Sequence, residues 1–123
     1  MRHPTRKAID KFNSILSLQE DPHLQDWEIE CANPNRVNEF IHCYNTNTKN
    51  DDERFTLMAL ILGSFEEYHD VNPPSEEIWT KVKTILIESK IVHYDHIEYY
   101  QCLDATKKDE FFPITELMRE IEI

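Results

Sequence analysis

The sequence predicts an all-α domain of about five to seven helices. Three observations carry that expectation. Apolar residues recur at i, i+3, i+4 and i+7 in one segment after another, the pattern of helices that each bury one face. Residues suited to capping stand just before several of these runs, and prolines or polar clusters stand just after them. One segment, residues 54–69, is apolar nearly all the way round, as a helix at the centre of a domain must be. With 123 residues and 40% apolar composition, the chain can build one core, so residues 1–123 read as a single helical domain.

Thr5 caps the first helix, whose buried face is Ala8, Ile9, Phe12, Ile15 and Leu16, and Glu20-Asp21-Pro22 ends it. A short segment then places Leu24, Trp27 and Cys31 on a similar face. Asn33-Pro34-Asn35 is a turn, and Asn35 caps a helix striped by Val37, Phe40, Ile41 and Tyr44. A polar loop over 45–50 leads to Asp51 or Asp52 as the next cap, where acids also suit the helix dipole. In the central segment Phe55, Met58, Ala59, Leu62 and Phe65 form one face, while Leu57, Leu60, Ile61 and Tyr68 cover much of the rest. Gly63 costs about 1 kcal/mol relative to alanine in such a place, which close approach by a crossing helix would offset. Asn72-Pro73-Pro74 stops the chain, and Ser75 caps a helix with Glu76 and Glu77 in its first turn and Ile78, Trp79, Val82, Ile85 and Leu86 at helical spacing. Residues 90–103 read two ways: a helix capped by Asp95 and carrying Ile97, Tyr100 and Leu103, or a small hairpin around Asp95-His96. Residues 105–110 form a charged loop, after which Pro113 opens a last helix with Ile114, Leu117, Met118 and Ile121.

Composition excludes several functions. Gly63 is the one glycine, whereas phosphate-cradling loops need several in a short run, because backbone must approach phosphate closely. Thirteen Lys and Arg face twenty-four Asp and Glu, a formal charge of −11. Such a chain repels nucleic acid and anionic membranes and attracts cationic partners. The longest apolar run, Leu57 to Leu62, is far short of the roughly 20 residues of a membrane span, and no apolar stretch of signal-peptide length follows the basic N-terminus. The expectation is a cytoplasmic protein, monomeric and without a cofactor. Cys31, Cys43 and Cys102 are widely separated and odd in number, so they read as reduced thiols, mostly buried.

Candidate catalytic and metal constellations are thin. Two Glu-x-x-His sequences occur, Glu39 to His42 and Glu66 to His69, and pairs of this kind build di-metal sites in helical bundles when both side chains point inward. At about 100° per residue, Glu39 and His42 fall away from the Val37, Phe40, Ile41, Tyr44 stripe, so the first pair faces solvent. The second pair sits in the last turn of its helix. His93, Asp95 and His96 cluster closely, but no spacing supplies the further ligands that zinc needs. No catalytic or metal-ligating residue is therefore assigned.

Charge placement is more informative. Residues 12–80 carry three bases and fourteen acids, a field that speeds encounter with a basic protein and favours the right partner. Aromatic residues beside acids strengthen the reading, because tyrosine is common among residues that dominate binding energy. The candidate partner-binding residues are Glu66, Glu67, Tyr68 and Asp70, together with Asp95, Glu98, Tyr99 and Tyr100. The segments RFTLMALILGSFEEYH, HIEYYQCLD and FFPITELMREI give the chain a resemblance, over roughly residues 24 to 121, to the small acidic immunity proteins of bacterial toxin systems, contact-dependent inhibition systems included. That resemblance implies a non-enzymatic protein that binds and blocks one cognate toxin domain, often a basic nuclease. It carries no specific site residue. The alternative expectation is a cytoplasmic adaptor or regulator that docks another basic or helical protein segment without catalysis.

Overall fold

The computed structural model describes residues 2–18, 26–73 and 75–123. Among these, the secondary structure is wholly helical: α1 (Arg6–Ile15), α2 (Trp27–Glu30), α3 (Val37–Asn47), α4 (Asp51–Val71), α5 (Glu76–Glu88), α6 (Lys90–Gln101) and α7 (Thr115–Met118), with 3₁₀ turns at Pro34–Arg36 and Lys108–Glu110. The chain is all-α, and α4 is its axis. Helices α1, α2, α3 and α6 all pack against α4, and its residues from Phe55 to Leu62 are buried without a break. Its two buried hydroxyls are each used by a neighbouring segment. Thr56 Oγ1 accepts the Thr5 N–H at 3.1 Å, and Ser64 Oγ accepts the Asn33 N–H at 3.0 Å. One continuous core joins Phe12 of α1, Trp27 of α2, Phe40 of α3, Leu86 of α5, Ile97 of α6 and Met118 of α7 to the α4 side chains.

Gly63 has the close neighbour that its cost in a helix predicts. A Cβ built there would lie 2.6 Å from the Glu28 carbonyl oxygen, so α2 crosses α4 at van der Waals contact with backbone. The seat of α2 is also fixed from its other side, where Trp27 Nε1 donates to Asn13 Oδ1 of α1 at 2.8 Å. Lys11 of α1 ties two further helices, donating to the Asn47 carbonyl and to Glu53 Oε1, both at 2.7 Å. Burial works against the Glu53 carboxylate, but the Lys11 ammonium and the Lys49 N–H outweigh it and hold its pKa below the ordinary range.

The caps differ from expectation in informative ways. Thr5 and Ser75 cap α1 and α5 as expected, accepting from the N–H groups of Ala8 and Ile78. Asn35 is not the cap of α3. Arg36 stands at the N-cap of α3 without a side-chain cap bond, and Asn33 instead caps the preceding 3₁₀ turn that runs into α3, accepting the Asn35 N–H at 3.0 Å. Asn50, not Asp51 or Asp52, caps α4 through the Glu53 N–H at 2.9 Å, leaving all three acids in the first turn. The expected polar loop is shorter, because α3 runs on through Asn47. Helix α1 ends at Ile15, which is exposed rather than on the buried face. Ser17 adopts the left-handed conformation there, and the Leu18 N–H closes the end onto the Asn13 carbonyl at 3.0 Å. Glu20-Asp21-Pro22, Leu24 and Pro74 lie outside the described residues.

The hairpin alternative for 90–103 is overturned. Residues 90–101 are helix α6, which leaves α5 through a one-residue break at Ser89 and is not capped by Asp95. Leu103, expected on its buried face, lies beyond its end and is exposed. The physical reason is that the buried face is written largely in polar letters: His93, Ile97 and Gln101 repeat every fourth residue and are all buried. Pro113 lies in a turn ahead of α7, and the one-turn helix starts at Thr115, while Ile114, Met118 and Ile121 are buried as expected. Cys31 and Cys43 are buried, and Cys102 is half-buried. Among the described residues no helix is long and apolar enough to cross a membrane.

Candidate functional site

The two predicted patches meet. Tyr100 of α6 packs on the core, with its phenol near enough to the Glu66 carboxylate for each to shift the other's pKa. Burial is the main cause that raises the Glu66 pKa; Asp70 and Glu67 add to it, and the nearby Tyr100 hydroxyl opposes it. The same burial, together with the neighbouring Glu66 charge, raises the Tyr100 phenol. Glu66 is therefore half-buried and engaged, whereas Glu67 and Asp70 are exposed and Tyr68 leans partly on the core. Tyr99 and Tyr100 meet edge to face at 5.0 Å, and Phe112 stacks on Tyr99 at 4.9 Å and touches Tyr100 at 5.5 Å. This aromatic trio joins the end of α4 to α6 and to the segment before α7.

Beside the trio lies a groove of about 970 Å³. Its floor is Phe55 and Ala59 of α4 with His96 of α6; its walls are Ile29 of α2, Tyr99 of α6, Leu103 and Phe112. Ile29, Tyr99 and Leu103 are 62%, 60% and 62% exposed, large apolar side chains that face solvent at one place. Among the described residues five carboxylates line it, Asp26, Glu28, Asp95, Glu98 and Asp104, against the single guanidinium of Arg2. The Arg2 backbone N–H donates to Asp95 Oδ2 at 2.7 Å, and its side chain reaches Asp52 at 3.5 Å. A basic stretch of this chain thus already lies against the acidic rim.

The floor is closely packed and uncharged. His96 stacks on Phe55 with centroids 3.9 Å apart, and its Nε2 lies 2.9 Å from the Phe55 carbonyl oxygen. A carbonyl only accepts, so Nε2 carries the proton. Next to it, His93 Nε2 lies 2.8 Å from the Tyr44 hydroxyl, and His93 Nδ1 has no partner among the described residues. Burial lowers the pKa of His93 to about 3 and that of His96 to about 4. One wall is fixed by Arg119. Cys102 ends α6 in the left-handed conformation, and the Arg119 guanidinium collects the Gln101 and Cys102 carbonyls at 2.7 Å and that of Ala105 at 3.2 Å. Leu103 sits inside that clasp.

Sequence reasoning named Asp95, Glu98, Tyr99 and Tyr100 of this site and missed Asp26, Glu28, Ile29, Leu103, Asp104 and Phe112 as its lining. Ile29 carries a signal, as an apolar residue off the Leu24, Trp27, Cys31 stripe of its segment, whereas Leu103 reads in the sequence as part of a helix's buried face. Asp26 and Glu28 carry none, since only the α2–α4 crossing brings them to α6. Glu66, Glu67, Tyr68 and Asp70 do not line the groove; Asp70 lines a second, polar depression with His69, Lys108 and Phe112. No three His, Cys, Asp or Glu side chains among the described residues are grouped so as to hold a metal ion. What the arrangement offers is a binding surface, apolar at its floor and anionic at its rim. No protein-family model, curated protein or solved structure matches the chain.

Proposed function

We propose that the protein is a non-catalytic inhibitor that captures and neutralises a cognate basic toxin domain in the cytoplasm. The observation that carries the reading is the groove lined by five carboxylates and one guanidinium on a chain of net charge −11. Its exposed Ile29, Tyr99 and Leu103 supply the apolar contact that a stable complex requires, and its acids supply steering and selectivity. The resemblance to acidic immunity proteins supplies the class of partner. An adaptor for a harmless basic protein would use the same surface and differ only in what is bound.

The test begins with the reading frame beside this one. Its C-terminal domain, expressed alone, should arrest growth, and co-expression of this protein should restore it through a one-to-one complex. Association should slow strongly between 0.1 and 1 M salt, as the Debye length falls from about 10 Å to about 3 Å. Glu98→Lys with Asp104→Lys, both exposed on the groove's rim, should slow it at 0.1 M salt without unfolding the protein, because exposed substitutions change stability by about 0.5 kcal/mol or less. A neighbouring domain that binds but harms nothing would favour the adaptor. Growth arrest that this protein never relieves would end the immunity reading.

A further inference from the structure

We infer that the groove between α2 and α6 docks a cationic amphipathic helix of the captured protein, its apolar side chains on Ile29, Tyr99 and Leu103 and its basic ones on Glu28, Glu98 and Asp104. The inference rests on the proposed capture of a basic protein and names the part of that protein that is held.

Three observations select this occupant. The walls pair an aliphatic side chain on each side of the groove with one tyrosine, which suits knobs spaced along a helix face. The aromatic rings pack on one another at 4.9 to 5.5 Å and do not stand apart as the parallel ridges that grip a polyproline segment. Among the described residues there is no strand, so an extended peptide has no sheet edge to join. The charge of the rim is complementary to lysine and arginine. Glu28, Glu98 and Asp104 line the same groove and take part in no salt bridge among the described residues.

The probe is a synthetic Leu/Lys amphipathic peptide of about five helical turns, titrated into the ¹⁵N-labelled full chain. Two controls are a scramble of the same composition and a basic proline-rich peptide. The expected result is a set of shifts centred on the amides of Ile29, Tyr99 and Leu103, with affinity reduced about tenfold or more by Leu103→Asp. Ile91→Asp, on an exposed apolar residue outside the groove, should leave affinity unchanged. The shift map of the unaltered protein stands as a second readout if Leu103→Asp does not fold. Equal binding of the scramble would show charge alone at work and overturn the inference, as would tighter binding of the proline-rich peptide. Shifts elsewhere, or a groove covered by a second copy in solution, would do the same. The probe is not a toxin, so a failed titration removes the helical occupant and leaves the acidic groove and the neutralising role standing. Peptide binding without rescue of growth removes that role and leaves the groove.

Discussion

His93 and His96 stand in places that are hostile to charge. His93 is fully buried on the Tyr44 hydroxyl, His96 is stacked on Phe55, and their rings are 5.8 Å apart. Burial comes first in depressing both pKa values; for His93 the neighbouring His96, Arg2 and Arg54 charges add to it, and for His96 the Phe55 carbonyl and Asp95 oppose it. The unfolded imidazoles take up protons near pH 6.5, while the folded ones stay neutral down to about 4 and about 3. The unfolded state therefore binds more protons throughout that window, and stability is lost as pH falls through it. Each histidine should remove up to about 1.4 kcal/mol per pH unit, while the raised Glu66 carboxyl works in the opposite sense. Urea unfolding at pH 7, 6 and 5 should show the decline, to which His69, also lowered by burial, adds in the same sense, and His93→Phe should flatten the slope in part while lowering stability at pH 7, where Tyr44 loses its partner. A level profile across that range would mean that both rings meet water.

At the scale of the element, the α2–α4 crossing is the contact on which the groove depends. Gly63→Ala gains about 1 kcal/mol of helix preference but drives a methyl to 2.6 Å from the Glu28 carbonyl. Backbone cannot rotate away as a side chain does, so the net effect should be a loss of about 1–3 kcal/mol in denaturant unfolding. A gain would mean that α2 is not seated there. The existence of α1, α3, α4 and α5 was legible because each buries apolar letters at helical spacing. Helix α6 was legible only in part, because its inward positions are His93 and Gln101, and a polar residue counts against burial until its partner is known. Gln101 finds its partners in the carbonyls of Met118 and Ile121, at 3.1 and 2.7 Å, a contact that no local pattern announces. The caps slipped by a residue or two because Asn33 and Asn35, or Asn50, Asp51 and Asp52, all have the right chemistry, and the geometry of the preceding turn chooses among them.

The whole molecule is arranged around α4, and its stability should show it. Leu62 is fully buried, and Leu62→Ala should cost about 2–5 kcal/mol by denaturant unfolding; a loss below roughly 0.5 kcal/mol would remove α4 from the centre. The acidic character of the site was legible from composition, while its location was only half legible. Tyr99 and Glu98 are neighbours in sequence, whereas Glu28, Asp104 and Phe112 reach them through three different segments. The central position of α4 also matters during synthesis. Helices α1, α2 and α3 precede α4 in the chain and are on hand as it emerges, but α6 comes afterwards. At roughly 5–20 residues per second, the face that awaits α6 stays uncovered for a few seconds on each growing chain. That face includes Phe55 and Ala59, so the future floor of the groove is an apolar surface open to chaperones, or to a neighbouring nascent chain, before the rest of the site exists.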